Sequence, residues 1–209
     1  MTPAQQRAFD QYWPRYGIEY DGETLDINGI FKRGGPCVLE IGFGMGHSLV
    51  AMAEAAPETN FIGVEVHRPG VGKLLHSMEE RGVDNIRVYC HDAVDVLRDC
   101  ISDAVLDSIK IFFPDPWHKK KHHKRRLIQA ELVAQLAVKL KQRGTIHLAT
   151  DWEHYAHQMM AVMSAEKKLV NSYGLGEFAP QGDGRPATKF ERRGERLGHD
   201  VWDLVFKRR

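Results

Sequence analysis

Short apolar runs alternate with segments of helical periodicity along most of the chain. Runs rich in β-branched and aromatic residues predict strands at residues 38–41, 61–66, 86–89, 108–113, 145–149 and 201–206. Between them, apolar residues recur at helical spacing in two sets: Val71, Leu74, Leu75 and Met78, and Ile128, Leu132, Leu136 and Leu140. Two more helices are expected, at residues 3–13 and after Asp151. Strands separated by helices are typical of a parallel sheet, so the pattern predicts an α/β fold.

Residues 174–188 interrupt this pattern. Their sequence, GLGEFAPQGDGRPAT, holds four Gly and two Pro and has no periodicity. It predicts a long loop, and loops of this length in compact domains often carry function.

Composition limits the class of protein. The chain has 209 residues, of which 43% are hydrophobic, and this is the size of one domain, which we assign to residues 1–209. It has no run of eighteen apolar residues and no N-terminal signal-peptide pattern, which argues against a membrane or secreted protein. Cys37, Cys90 and Cys100 have no CxxC spacing, so we expect neither a disulfide framework nor a structural zinc site. These features favour the cytoplasm.

The net charge of +1 hides an asymmetry. Residues 1–116 hold 10 basic and 18 acidic side chains, a charge of −8, whereas residues 117–209 hold 19 basic and 10 acidic side chains, a charge of +9. A strongly basic second half favours a nucleic-acid partner, which the net charge alone does not indicate.

A glycine-rich turn follows the first predicted strand. The stretch EIGFGMGHS runs from Glu40 through Gly42, Gly44 and Gly46 to His47, and it predicts a turn that enters a helix. Such a turn lets a ligand approach the backbone and the helix N-terminus. His47 stands where the dinucleotide fingerprint has its third glycine, and the Glu40 carboxylate would repel phosphate and attract an ammonium group. S-adenosylmethionine fits these features, and a tight connection without a ligand is the alternative.

Two more acids belong to the next two predicted strands: Glu65 lies at the end of one, and Asp92 follows the other. Glu65 comes about 20 residues after the turn, where doubly wound folds place the carboxylate that accepts from ribose hydroxyls. Asp92 precedes Ala93, and we expect its carboxylate to accept from an adenine amino group. Capping of the following helix is the alternative role for Asp92. Together with Glu40, these acids predict a cofactor crevice at the carboxyl ends of three strands.

The tetrapeptide Pro-Asp-Pro-Trp at residues 114–117 follows the fourth predicted strand and runs into HKKKHHKRR. The prolines stiffen the loop around Asp115, and Trp117 offers a face on which a base can stack. Six Lys or Arg and three His in nine residues form a phosphate-seeking segment, although a charge run is often only a solvated face. The histidines His118, His122 and His123 also suggest a metal site, but the intervening lysines repel a cation, so no metal is expected.

The blocks EIGFGMG, GVEVH, FFPDPWHKKKHHKRR, ATDW and TKFERRGERLGH closely resemble those of the bacterial tRNA (guanine-N7)-methyltransferases. The resemblance runs from about Tyr12 to the C-terminus, and FFPDPWHKK and TKFE are specific to that family. It implies a Rossmann-like class I methyltransferase fold with a mostly parallel seven-stranded sheet and helices on both faces. It also implies S-adenosylmethionine as the methyl donor and N7 of guanine 46, in the variable loop of tRNA, as the acceptor.

By this resemblance the family's functional positions fall on three groups of residues. The cofactor positions are Glu40, Glu65, Asp92 and Asp115, together with the glycines of the turn and Ala93. The substrate-contacting positions are Lys119, Asp151, Thr188, Lys189, Phe190 and Glu191. The RNA-contacting positions are Lys121, His122, His123, Lys124, Arg125 and Arg126. Without the resemblance, Asp151 is interpreted as a helix N-cap and residues 188–191 as the end of a loop.

Guanine N7 has a free lone pair, so its methylation needs no proton removed first. We expect catalysis to come from alignment of the reacting atoms and from electrostatics. Asp115 is the expected catalytic residue, which would orient the guanine by accepting from its N1 or N2 hydrogens rather than act as an obligatory base. Glu191 or Asp151 would share this role. The loop at residues 174–188 would become ordered when tRNA binds.

Three other functions compete with this hypothesis. A methyltransferase acting on an exocyclic amine of a base would have a similar Asp-Pro-Pro-aromatic loop. A non-catalytic RNA-binding module would keep the fold without binding the cofactor. An NAD-dependent dehydrogenase is disfavoured by the glycine spacing.

We expect tRNA as the partner, a monomer or homodimer, no membrane and no obligatory protein partner. Relatives usually carry a further stretch, often basic, before the segment that resembles TPAQQRAFDQYWP. Its absence here is compatible with a truncated chain that binds tRNA more weakly.

Overall fold

The computed structural model describes residues 1–182, 184–186 and 200–209. In these residues the strands are β1 (Gly17–Ile18), β2 (Cys37–Ile41), β3 (Asn60–Val64), β4 (Ile86–Tyr89), β5 (Leu106–Phe112), β6 (Leu140–Thr150), β7 (Leu169–Asn171) and β8 (Trp202–Arg208). The α-helices are α1 (Pro3–Tyr16), α2 (Ile27–Phe31), α3 (His47–Ala55), α4 (Arg68–Arg81), α5 (Ala93–Asp95), α6 (Ala130–Lys139) and α7 (Glu153–Ala165). A π-helical turn at Val96–Cys100 continues α5, and a 3₁₀-helix covers Lys120–Arg125.

The strands form one sheet in the order β1-β4-β3-β2-β5-β6-β8-β7. Neighbours from β1 to β6 are parallel, whereas β8 runs antiparallel to both β6 and β7. The chain moves outward from β2 to β3 and β4 and then crosses to β5 on the other side of β2. This reversal opens a crevice at the carboxyl ends of β2 and β5, where open α/β sheets bind their ligands.

Helices cover both faces of the sheet. On one face, α1, α3 and α4 pack over β3 and β4 around the fully buried Leu49 and Leu74. On the other face, α6, α7 and the π-helical turn pack around the fully buried Leu39 and Leu136. This arrangement confirms the Rossmann-like fold expected from the sequence. None of the helices in the described part of the chain has both the length and the apolar character needed to cross a membrane.

The six predicted strands are confirmed as β2, β3, β4, β5, β6 and β8, with ends that shift by a few residues. The sequence pattern does not predict β1 and β7, because strands of two and three residues are too short to show an alternation. Strands β2 to β8 form the expected seven-stranded sheet, and β1 adds a short parallel edge beside β4.

The assignment of Leu140 to a helix is wrong. Leu140 keeps the four-residue spacing of α6, but α6 ends at Lys139 and Leu140 begins β6 beside Leu106 of β5. Leu140 is fully buried, and an apolar pattern signals burial in a helix and in a strand alike. Arg208 donates to the carbonyl groups of Val138 and Leu140, where the helix gives way to the strand.

Candidate functional site

The glycine-rich turn joins β2 to α3 beside the crevice. Gly42, Gly44 and Gly46 have φ angles of 73°, 58° and 77°, a region that glycine adopts without strain. The N–H of Gly42 donates to the carbonyl of Val64 in β3, that of Gly46 to the carbonyl of Phe43, and that of Gly44 to the carboxylate of Glu65. Gly46 is the N-cap residue of α3, and no side chain caps this helix.

The start of α4 packs closely against this turn. A Cβ atom at Gly70 would lie 2.1 Å from the carbonyl oxygen of Gly44, so a larger residue at this position would displace the turn. A Cβ atom at Gly46 would lie 2.5 Å from the side chain of Leu74. The shape of the turn therefore depends on the packing of α4 as well as on the glycines.

Glu40 is the buried acid of the crevice. The alternation of β2 places it on the sheet face opposite Leu39, next to Gly63 of β3 and Lys110 of β5, and it is 2% exposed. Its Oε2 atom is buried and has no hydrogen-bond partner among the described residues. Burial raises the pKa of Glu40 to about 8, although the positive charge of Lys110 opposes the shift. A buried carboxyl group with an unpartnered oxygen fits a cationic ligand, because the ligand's charge would compensate for the hydration that the carboxylate loses on burial.

Glu65 follows β3 and links the glycine turn to α4. Its Oε2 accepts from the N–H of Gly44 at 2.8 Å, and its Oε1 accepts from the N–H of His67 at 2.9 Å. Each carboxylate oxygen keeps a lone pair for a further donor, such as a ribose hydroxyl.

Asp92 follows β4 and caps α5, because its Oδ1 accepts from the N–H of Val94 at 2.8 Å. The capping role that the sequence allows is therefore confirmed, and the exposed side chain keeps a second oxygen for a ligand. The preceding His91 stacks on Tyr20 with ring centroids 3.9 Å apart, which anchors this strand end to the N-terminal segment. Sequence reasoning misses Tyr20 because the contact joins distant parts of the chain.

The loop at residues 114–117 follows β5, on the other side of the crevice. Phe113 and Trp117 have positive φ angles of 52° and 46°, which are uncommon for aromatic residues and persist only where the surroundings hold the chain. Asp115 lies between them and is exposed. The ring of Trp117 already carries the guanidinium of Arg125, 5.1 Å from its centroid, so a base can stack only on what remains of its surface.

The basic segment after this loop forms the 3₁₀-helix and leaves most of its cations exposed, namely Lys119, Lys120, Lys121, Lys124 and Arg125. His122 and His123 are half-buried. Arg126, which the resemblance places among the RNA-contacting residues, is only 2% exposed. Its guanidinium donates to the carbonyl oxygen of Pro116 and contacts α7, away from solvent.

The histidines of this segment pack on aromatic neighbours. His118 lies edge-on to Trp152 with centroids 4.2 Å apart, and His123 lies 4.9 Å from His154. Within the described ranges, no group of three or more His, Cys, Asp or Glu residues is placed to hold a metal ion. Because Trp152 follows Asp151, the first contact brings the loop at 114–118 to the start of α7.

Asp151 lies between β6 and α7 and is exposed. The alternative that it caps α7 is wrong, because the N-cap residue is Trp152, whose N–H donates to the hydroxyl of Thr150 at 3.2 Å. The carboxylate of Asp151 is thus not consumed by helix capping. The other substrate-contacting residues expected from the sequence, Thr188, Lys189, Phe190 and Glu191, lie outside the described residues.

A buried network beside the Asp115 loop is not predicted from the sequence. Arg185 donates two hydrogen bonds to Asp203, at 2.6 and 2.9 Å, and its guanidinium lies over the rings of Phe112 and Phe113. His147 lies 2.7 Å from the same carboxylate. Burial alone would raise the pKa of Asp203, but hydrogen bonds from His147 and Arg185 lower it to about 2. The network fixes the described end of the 174–186 segment against β8 and the end of β5.

A methyltransferase family model, Methyltransf_4, matches residues 34–204 of the chain. The tRNA (guanine-N(7)-)-methyltransferase of Marinobacter nauticus is 57% identical over 208 residues, which cover 100% of this chain and 87% of the relative. The protein of the same name from Pseudomonas aeruginosa is 55% identical over 208 residues, covering 100% of this chain and 85% of the relative.

Solved structures share the fold at much lower identity. The 30S ribosomal A1408 methyltransferase from an uncultured bacterium has a TM-score of 0.61 and 13% identity, with 92% of this chain and 96% of that chain covered. A SAM dependent methyltransferase from Aquifex aeolicus has a TM-score of 0.58 and 11% identity, with 98% and 97% covered. At such identities the likeness shows the fold alone.

The raised pKa of Glu40 predicts how stability depends on pH. Because the pKa is about 8 in the folded protein and ordinarily 4.5, the folded state keeps a proton that the unfolded chain releases between these values. Stability therefore falls as pH rises through this window, and Glu40→Gln should remove that fall. Urea unfolding at several pH values measures it, with Glu80→Gln, on the exposed side of α4, as the control. A Glu40→Gln effect that is the same at all pH values would contradict the prediction.

The contact between Gly70 and the glycine turn predicts a selective loss of ligand binding. Gly70→Ala should displace the carbonyl of Gly44 and weaken binding of S-adenosylmethionine, the expected ligand, roughly tenfold or more. Gly72→Ala is the matched control, because its Cβ would lie 2.5 Å from the carbonyl oxygen of Gln5 in α1, on the same helix but away from the turn. Calorimetric titration gives Kd, and thermal unfolding gives the stability of both variants. Equal affinities in the two variants would rule out this role for Gly70.

Proposed function

The chain belongs to the tRNA (guanine-N(7)-)-methyltransferase family, and on that basis we propose that it transfers a methyl group from S-adenosylmethionine to N7 of guanine 46 in the variable loop of tRNA. Identity of 57% over the full chain to a protein of that name is the observation that carries the reaction. The position in tRNA rests on the resemblance of the FFPDPWHKK and TKFE blocks. A tRNA substrate agrees with the cytoplasmic location expected from the composition.

The residues around the crevice fit S-adenosylmethionine. The buried, unpartnered Oε2 of Glu40 suits the ammonium group of its methionine portion. Glu65 would accept from the ribose hydroxyls, and Asp92, beside Ala93, would accept from the adenine amino group. A Cβ atom at Gly42 or Gly44 would meet nothing within 4 Å, so both glycines border open space into which a ligand can fit. When bound, the cofactor supplies a methyl group attached to a positively charged sulfur.

Asp115 is proposed to orient the guanine. A lone pair on N7 reacts without prior removal of a proton, so the chain needs to supply alignment rather than an obligatory base. The carboxylate of Asp115 accepts from the N1 or N2 hydrogens of the base in this proposal, and its charge offsets the positive charge that the purine gains. Asp151 is brought to the same edge by the contact between His118 and Trp152. It is proposed to share this role with Glu191.

The exposed cations of the 3₁₀-helix are proposed to bind tRNA phosphates, with Lys121, Lys124 and Arg125 as the main contacts and His122 and His123 beside them. Lys119, Thr188, Lys189 and Phe190 are proposed to contact the guanine nucleotide itself. The guanine must leave its stacked position to reach the crevice, and cations next to Asp115 would hold the backbone while it does so.

Identification of the product tests this function. The protein, S-adenosylmethionine with a labelled methyl group and an unmodified tRNA transcript should yield labelled 7-methylguanosine. Treatment with borohydride and aniline should then cleave the strand at position 46, and a transcript with adenine at this position should take up no label. Labelled N2-methylguanosine would identify an exocyclic-amine methyltransferase. Binding of tRNA without cofactor binding or label would identify an RNA-binding module.

Replacement of Asp115 separates chemistry from cofactor binding. Asp115→Ala should lower the single-turnover rate constant by about 10²-fold or more, because a group aimed at the reacting base is lost. Binding of S-adenosylmethionine should remain measurable, with a loss much smaller than that of the rate, since only the contact of Asp115 is removed and the ammonium, ribose and adenine contacts remain. Asp84→Ala, an exposed acid at the opposite edge of the sheet, is the control. Undiminished turnover of Asp115→Ala would refute the assignment.

Neutralisation of the basic segment should weaken tRNA binding in a salt-dependent way. Lys121→Ala, Lys124→Ala and Arg125→Ala should each raise the Kd for tRNA and reduce the slope of log K against log salt by about one for every phosphate contact removed. Lys167→Ala and Lys168→Ala, exposed before β7 at the far edge of the sheet, are the matched controls. If both sets of variants shift the slope equally, the segment is only a solvated surface.

A further inference from the structure

Arg126 is the one cation of the basic segment that the fold buries, at 2% exposure. Its Nε donates to the carbonyl oxygen of Pro116 at 2.7 Å. Its Nη1 lies 3.1 Å from Nδ1 of His154 and donates to Oε1 of Gln158, both on α7. The guanidinium carbon lies 4.7 Å from the centroid of the Tyr155 ring. One side chain thus joins the Asp115 loop to the first two turns of α7.

The chain around Arg126 is docked on the same helix. The N–H of Ile128 donates to the hydroxyl of Tyr155 at 3.0 Å, and Gln158 donates to the carbonyl of Ile128 at 3.3 Å. These contacts fix the backbone on the carboxyl side of Arg126. Asp151, the second acid of the substrate side, lies two residues before the start of α7. Its position therefore depends on the same helix.

A contribution to folding stability alone does not explain why the guanidinium group of Arg126 is buried here. Burial lowers the pKa of Arg126, which shows that removal from water is unfavourable for its charge. None of the ion pairs between described residues includes Arg126. The described residues thus give Arg126 hydrogen-bond partners but no opposite charge to compensate for its burial. A carbonyl oxygen and two α7 side chains, by contrast, need a donor with several N–H groups in a fixed geometry.

The bond to Pro116 acts on a part of the chain that has no regular structure. Pro116 follows Asp115 directly, and the loop lies between Phe113 and Trp117, both with positive φ. A conformation of this kind is maintained by the contacts around it. Arg126 supplies the contact on the α7 side, and Arg185 supplies one on the other side through the rings of Phe112 and Phe113.

We propose that Arg126 is a positioning residue that acts through Asp115 and does not contact RNA. By holding the carbonyl of Pro116 against α7, it sets the separation between the carboxylate of Asp115 and that of Asp151 before the guanine arrives. This inference rests on the proposed role of Asp115 in the methylation. Such a contact should raise the rate of methyl transfer, because misplacement by about 1 Å of a group that aligns the reactants can lower the rate about 10²-fold.

The neighbouring exposed arginine provides the comparison that tests this proposal. In Arg126→Met, the single-turnover rate constant at saturating, unmodified tRNA transcript should fall about tenfold or more, with the Kd for tRNA and its salt slope unchanged. In Arg125→Met, by contrast, the Kd for tRNA should rise and the salt slope should fall by about one. A reduced salt slope in Arg126→Met would show that Arg126 contacts phosphate, and an unchanged rate constant would show that it positions nothing. Either result overturns the proposal.

A double-mutant cycle distinguishes positioning from a general loss of structure. Arg126→Met should have little further effect on the rate constant when Asp115 is already Ala, because the group through which it acts is absent. Additive losses would show that Arg126 acts independently of Asp115 and would refute the proposal. Arg126→Lys, which keeps one donor, should restore part of the rate.

Gln158→Leu covers the case in which Arg126→Met does not fold. It removes one of the two α7 partners of Arg126 and leaves the bond to Pro116, so an intermediate rate constant with an unchanged salt slope is expected. A wild-type rate constant would count against positioning. The two proposals fail separately. Methylation at another base would refute the proposed function. The double-mutant cycle would still measure the coupling between Arg126 and Asp115, with the methylation of that other base as its readout.

Discussion

The crevice depends on one constraint, the burial of the carboxyl group of Glu40. The reversal of strand order places the end of β2 in the middle of the sheet, and the alternation of this strand turns Glu40 towards the face covered by α3 and α4. One of its oxygens has no partner among the described residues, and burial raises its pKa to about 8. Such a group is costly unless it keeps a proton or meets a cation. In the proposed function, the ammonium group of S-adenosylmethionine would meet this requirement.

The two halves of the site are held by different kinds of interaction. On the cofactor side, glycines with positive φ, the close approach of α4 and the two hydrogen bonds accepted by Glu65 fix the backbone. On the substrate side, the loop around Asp115 is held by two buried guanidinium groups, Arg126 on one side and Arg185 on the other. In the proposed function, the acidic first half of the chain would face a cationic cofactor, and the exposed cations after Trp117 would face the polyanionic substrate.

The sequence predicts those parts of the site that depend on local pattern and topology. Glu40 lies at the end of β2, and Glu65 and Asp92 follow β3 and β4, so their placement at one edge of the sheet follows from the strand assignments. The pattern does not distinguish the buried Arg126 from the exposed Arg125, because both belong to one run of cations. The pairing of Arg185 with Asp203 and the stacking of Tyr20 on His91 join residues far apart in the chain, and neither leaves a periodic signal. Leu140 shows the same limit, since an apolar residue at helical spacing also fits a buried strand.

Proton release on cofactor binding tests the role of Glu40 most directly. At about pH 6.5 the unliganded carboxyl group holds its proton, and the ammonium group of S-adenosylmethionine should displace it. Calorimetric titration in buffers of different ionisation enthalpy should therefore show release of close to one proton per cofactor bound, and Glu40→Gln should abolish the release while binding more weakly. A binding enthalpy that does not depend on the buffer would contradict the account, because no proton would then be displaced from Glu40 when the cofactor binds.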